Sequence, residues 1–216
     1  LTVNRNIFGI SNGIGGGSAF VQCFWNAATS RLQMYFDGLS YYCRTDAALW
    51  TPVTGTWYHV LVTRDGTQPI GSKVTWWIDG NDCSLNESMT VLPSTIATSG
   101  INIGDNDGLS NNPFAGNMDD FAIWPQDMGA YKSDIYNGGE PGDLTNLPIG
   151  PSPDVWYKMG DESTFSLVWT IPNQIDPTTN NGTSTNMDIY TRTGDASSSE
   201  NNALSYNMAA ADIVPR

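Results

Sequence analysis

The chain has 216 residues, with 22 acidic against 9 basic side chains, a formal charge of −13 and a pI near 4.1. No basic surface is available to neutralise a run of phosphates, which argues against a nucleic-acid partner, and no apolar run reaches the roughly 20 residues of a membrane-spanning helix. Charged residues make up only 14% while Ser, Thr, Asn and Gly abound, so the surface is expected to be polar rather than ionic.

The sequence begins at Leu1, as a processed or partial product does. Ala19 to Trp25 alternates, with Phe20 and Phe24 on one face and Val21, Cys23 and Trp25 on the other. Leu32, Met34 and Phe36 share a face of the next strand, and Asp37-Gly38 ends it. Leu39 to Cys43 reads as a further strand. Trp57 to Thr63 sets Tyr58, Val60 and Val62 against Trp57, His59 and Leu61, and breaks at Asp65-Gly66. Val74, Trp76 and Ile78 share one side of a strand that stops at Asp79-Gly80. Ile101 and Ile103 precede the turn at 105–108, and Phe121 and Ile123 mark a late strand. Alternation with a period of two, punctuated by Asp-Gly, is the signature of hairpins, repeated here at the spacing of a sandwich. The expected fold class is all-β: an antiparallel two-sheet jelly-roll sandwich.

Met128 to Asn137 reads as a short helix stopped by Gly138-Gly139. A proline-rich connector follows, with a boundary expected near 146. The remainder opens with a plausible strand, Val155 to Ser163, and then turns rich in Asn, Thr, Ser and Gly. So few apolar residues are expected to form an arm instead of a second core. The three cysteines, Cys23, Cys43 and Cys83, match no zinc spacing and have one histidine to help them. They are expected to act as small buried hydrophobes, and they do not settle the compartment.

Five blocks then stand in order: TWYHVLVTRDGT, KVTWWIDGN, INIGDN, FAGNMDDFAIW and DIYNGGEPGDL. Over roughly residues 1–143 their order and spacing resemble laminin G-like domains of the concanavalin A-like jelly-roll group. The segment VWYKMGDES…NNGTSTNM is similar to stretches that adjoin such modules in structural proteins of tailed phages. The resemblance implies a sandwich over 1–146, and over 147–216 a C-terminal strand and arm packing on it or on a neighbouring subunit. It also implies an early strand ahead of Leu1, absent here, or supplied by the segment after 150 in the same chain or a neighbour.

Within that frame Trp76 fills the core, and Trp77 lies with Thr75 on the outward face. Trp77 and Thr75 are therefore the candidate contacts for a ligand or partner. Cover by protein is preferred over stacking on a sugar ring, because a wet tryptophan is costly and typical of interface hot spots. The resemblance further implies Ca²⁺ at the sandwich rim, with Asp105, Asn106, Asp107 and Asp119 as candidate oxygen ligands. Simple turn chemistry is the preferred reading of the same residues.

Relatives in this group include glycoside hydrolases, but Glu87, Glu140, Glu162 and Glu200 lie far apart and form no paired-glutamate motif. His59 reads as a hydrogen-bonded sheet residue instead of a general base. No catalytic residue is assigned and no enzyme is expected. Two functions follow. One is a virion surface protein, for capsid decoration or in a tail or fibre, contacting other virion proteins or copies of itself and adhering to host glycan. The other is a secreted or cell-surface carbohydrate-binding module. Both place the chain on a virion surface or outside the cell, with no nucleic acid and no membrane insertion.

Overall fold

A computed structural model describes residues 2–11, 19–36, 41–65, 67, 74–85, 100–104, 112–148, 150–159, 163–166 and 168–184. The chain forms two compact units. One comprises residues 1–114 with 126–142, the other 115–125 with 143–216.

The first unit is built from two antiparallel sheets. Strands β1 (Arg5–Ser11), β2 (Ala19–Asn26), β3 (Arg31–Phe36), β4 (Tyr41–Arg44) and β8 (Gly100–Ile103) form a five-stranded sheet in the order β4-β3-β2-β1-β8. Strands β5 (Val60–Arg64), β6 (Val74–Ile78) and β7 (Asn81–Asp82) form the second, in the order β5-β6-β7. Their inner faces meet in one core. Val21, Cys23 and Trp25 of β2 and Leu32, Met34 and Phe36 of β3 join Val74, Trp76 and Ile78 of β6. The alternation predicted for these three strands is the alternation found.

Trp76 is 0% exposed, and its indole N–H has no hydrogen-bond partner. Apolar contact alone therefore holds this ring, the largest buried side chain of the core. Cys23, Cys43 and Cys83 form no disulfide and lie buried in the same cluster. Burial pushes the Cys23 thiol far up, with Cys43 adding to the effect, so it stays protonated and packs as a hydrophobe.

Turn chemistry sets the register. Asp79 and Gly80 both adopt positive φ, 50° and 76°, and Ile78 pairs with Asn81 across them. This is the two-residue hairpin that an Asp-Gly pair favours. At the other side, Thr45, 0% exposed, bridges to Ser84, and its hydroxyl accepts from the Leu32 N–H at 3.1 Å. That contact joins the end of β4 to the chain leaving β7.

Two departures from the sequence reading stand out. β1, which periodicity did not reveal, pairs with both β2 and β8. A register shift between Asn6 and Phe8 interrupts its alternation, which is why the pattern is illegible. The strand expected from Trp57 starts only at Val60. Gly55, at φ 82°, and a turn from the Thr56 N–H to the Val53 carbonyl hold the preceding residues out of the sheet.

The helical segment falls where expected, as a 3-10 turn (Gly129–Tyr131), helix α1 (Lys132–Tyr136) and a second 3-10 turn (Asn137–Gly139). Asn137, at φ 47°, closes α1 in the left-handed conformation.

In the second unit, β9 (Phe121–Ile123) pairs with β10 (Val155–Tyr157), and β11 (Thr164–Ser166), β12 (Val168–Ile171) and β13 (Gly182–Thr183) form a small sheet. The segment after 147 is thus more regular than the expected arm, and it groups with residues 115–125. The reason is polar closure. Asn173 is 2% exposed, and its side-chain oxygen accepts from the N–H groups of Trp156 and Ile175 at 3.1 and 3.2 Å. The Asn173 N–H in turn donates to the Asn181 side chain at 2.9 Å. Tyr157 donates its hydroxyl to the Asn180 carbonyl at 2.6 Å, and Trp156 donates its indole N–H to Asp120 at 2.9 Å.

Candidate ligand and partner surfaces

Trp77 and Thr75 lie on the outward face of β6, opposite Val74, Trp76 and Ile78, as alternation requires. That face is not bare. The Trp77 indole N–H donates to the Thr63 hydroxyl at 3.0 Å, and the Lys132 ammonium sits 4.6 Å from the centre of the ring. A Cβ added to Gly129 would lie 3.7 Å from the same ring. The chain's own Gly129–Lys132 segment therefore covers Trp77, and half-buried Trp77 works as an anchor for that segment. Nothing in the sequence of β6 carried this information, because the cover arrives from more than fifty residues downstream.

His59, just ahead of β5, is structural in its contacts. Its N–H donates to the Asp79 carboxylate at 2.8 Å, and its ring packs on Tyr136 of α1 with centroids 5.7 Å apart. Burial pushes its pKa below the ordinary value, with Asp79 opposing in part.

Six aspartates among the described residues follow a common pattern. Asp46, Asp65, Asp82, Asp127, Asp143 and Asp176 each accept a hydrogen bond from the backbone N–H two residues on, at 2.8–3.0 Å. In three of them a threonine hydroxyl adds a second bond. These are Asx turns. The bonds to Thr145 and Thr178 hold Asp143 and Asp176 below the usual carboxylate range.

Of the candidate calcium ligands, Asp105, Asn106 and Asp107 lie outside the described residues, as do Glu87, Glu162 and Glu200. Asp119 is exposed and accepts from the adjacent Asp120 N–H at 3.0 Å, bracing its own turn. Among the described residues no three His, Cys, Asp or Glu side chains form a group that could hold a metal ion.

Two other surfaces carry chemistry that the sequence reading passed over. The first is the loop between β4 and β5. Leu49, Val53 and Trp57 are 61%, 64% and 62% exposed. The loop that presents them is braced: the Val53 N–H donates to the Tyr58 hydroxyl at 3.0 Å, and Trp50 meets Tyr58 edge-on at 5.3 Å. The Leu49 and Trp50 N–H groups both donate to the Asp46 carbonyl at 3.0 Å. Residues 47–58 carry no charged side chain. Pro52 and Gly55 were the available signals of a turn that keeps Trp57 outside the following strand.

The second surface is the outward face of the five-stranded sheet. Phe24 stacks on Tyr35 at 5.1 Å, Tyr35 meets Tyr42 edge-on at 5.8 Å, and the Arg44 guanidinium lies 4.8 Å above the Tyr42 ring. Amides interleave with these rings. Gln22 donates to Asn6 at 2.7 Å, and Asn26 donates to Gln33. Burial falls toward the β4 edge, from 2% exposure at Gln33 to 39% at Tyr42.

No helix among the described residues is long and apolar enough to cross a membrane. Searches of curated proteins and of solved structures returned no match. The laminin G-like model described as the concanavalin A-like lectin/glucanases superfamily matches residues 3–130. The match takes in more than half of the chain and agrees with two antiparallel sheets packed face to face; this protein belongs to the concanavalin A-like lectin/glucanases superfamily.

Proposed function

We propose that this carbohydrate-binding or structural β-sandwich module works without catalysis on the surface of a virion, as a capsid decoration or a tail or fibre component, and is held there by protein packing. The observation that carries the reading is the braced loop at 47–58. It presents three large apolar side chains to solvent from a fixed backbone, at a place free of charge in a chain of net −13. An exposed tryptophan with apolar neighbours on a rigid loop has the composition of a protein hot spot. The turn-bound aspartates support a role without catalysis, since each commits an oxygen to bracing its own loop. Similarity of the C-terminal segment to tailed-phage structural proteins supports the virion setting.

The test is incorporation. Trp57→Ser combined with Val53→Ser is expected to leave the melting temperature of the isolated chain unchanged and to abolish its co-sedimentation with the native particle. Undiminished incorporation of that variant would overturn the reading.

A second reading, a secreted or cell-surface carbohydrate-binding module, is favoured by the outward face of the five-stranded sheet. At its β4 edge Tyr42 is 39% exposed with Tyr35 edge-on to it, a flat apolar surface of the kind on which the C–H face of a saccharide stacks.

A further inference from the structure

Two Asn-Gly pairs lie among the described residues, Asn137-Gly138 at the end of α1 and Asn181-Gly182 where β13 begins. An asparagine followed by glycine loses its side-chain amide without an enzyme. The backbone nitrogen of the glycine attacks the side-chain carbonyl carbon, the bond to the amide nitrogen breaks, and ammonia departs from a cyclic succinimide. Water then opens the ring to aspartate, or to isoaspartate, in which the main chain runs through Cβ. Glycine favours the attack because no Cβ shields its nitrogen. The two pairs differ in how firmly they are held.

Asn181 is tied at both ends of its amide. Its side-chain oxygen accepts from the Asn173 N–H, and its side-chain nitrogen donates to the Pro177 carbonyl, each at 2.9 Å. Gly182 is enclosed, since a Cβ there would lie 3.5 Å from the Ile171 side chain and 3.9 Å from Tyr157. Asn137 is exposed, and among the described residues its amide makes one hydrogen bond, from Nδ2 to the Glu140 carbonyl at 3.1 Å. A Cβ at Gly138 would meet nothing within 4 Å. The attack needs rotation about the Asn137 ψ, which stands at 35°, and Gly138 and Gly139 oppose that rotation least.

We propose that Asn137 is a site of spontaneous deamidation, and that its isoaspartyl product loosens the segment covering Trp77. Asn137 closes α1: at φ 47° its N–H donates to the Ser133 carbonyl. Isoaspartate at this position lengthens the main chain by a methylene and breaks that cap. The new carboxylate cannot donate to the Glu140 carbonyl. It is also flanked in sequence by Asp134 and Glu140, at the negative end of the helix, where an anion is disfavoured. The contacts that hold the cover lie on the same short helix. Tyr136, adjacent to the cap, packs on His59 with centroids 5.7 Å apart, and Lys132 sits over the Trp77 ring. Damage at the cap therefore passes directly to the anchors on the outward face of β6.

Ageing the full chain at mildly alkaline pH tests this, with peptide mapping by mass spectrometry and isoaspartate detected by enzymatic methylation. Asn137 is expected to convert roughly tenfold faster than Asn181, whose amide must break one more hydrogen bond before it reacts. Hydrogen exchange over 129–137 should quicken in the aged chain. Asn137→Gly keeps the left-handed cap, cannot deamidate at this position, and should age with exchange over 129–137 unchanged. Melting curves taken before ageing show whether the variant starts folded; if it does not, unaged and aged wild-type chains separated by charge supply the same comparison. Conversion at Asn181 as fast as at Asn137 would overturn the site. Unchanged exchange in a chain carrying isoaspartate at 137, or equal quickening in aged Asn137→Gly, would overturn its link to the cover.

Discussion

The two units of this chain are closed by different physics. The sandwich holds together through apolar burial: Trp76 is sealed at 0% exposure with no hydrogen bond to its indole, and aliphatic and aromatic side chains of two sheets surround it. The second unit holds together through side chains that hydrogen-bond backbone, with buried Asn173 serving the N–H groups of both Trp156 and Ile175. The first device is non-directional and tolerates many shapes, whereas the second depends on particular atoms. A segment poor in hydrophobes can therefore still acquire sheets, provided its amides are placed to satisfy its backbone.

The largest effect expected is at the centre of the sandwich. Trp76→Ala removes a fully buried ring and should cost about 3–5 kcal/mol, seen as a large fall in the urea midpoint; an unchanged midpoint would dissolve the contrast. Asn173→Ala strands one buried and one partly buried donor and should cost about 1–3 kcal/mol. Hydrogen exchange should quicken around 155–175 and stay slow in β2, β3 and β6. Acceleration spread evenly over both units would show that they unfold together.

The smallest effect separates the units by pH. His59 belongs to the sandwich, and its folded pKa is depressed below its ordinary 6.5. Above that value both folded and unfolded forms are neutral and the stability is complete. As pH falls below it the unfolded chain takes up a proton that the folded chain resists, so stability declines. Asp143 and Asp176 belong to the second unit and are depressed below 3.8, so their contribution persists until the pH drops beneath that value. Melting curves from pH 7.5 to 3 should show a shallow early loss, and His59→Gln should remove the early part alone.

The sandwich was legible where one face of a strand is buried and its turn is unambiguous. In β6, alternation named the inner residues Val74, Trp76 and Ile78, and Asp79-Gly80 named the hairpin. β1 was hidden because a register shift near Ile7 breaks the alternation on which such reading depends. The outward Trp77 was legible as outward and as a ring that protein would cover, but the covering segment was not, since Lys132 and Gly129 reach it only through tertiary folding. The loop holding Trp57 was misread as strand because Trp-Tyr-His-Val alternates on paper, and only the left-handed Gly55 shows why the chain has not yet entered the sheet. The ladder from Phe24 to Tyr42 escaped notice for a related reason: its members lie on three strands, and adjacency across strands is invisible until register is known.

The Asp-x-Thr corners alter how the isoelectric point itself is to be understood. At Asp65, Asp143 and Asp176 the carboxylate serves as an acceptor for its own loop, a task that asparagine performs nearly as well. Exchanging the three would move the formal charge from −13 to −10 while keeping every corner. Electrophoretic mobility in this chain is therefore in part a record of how its bends are stitched, and relatives with the same corners are free to drift in acidity at these positions.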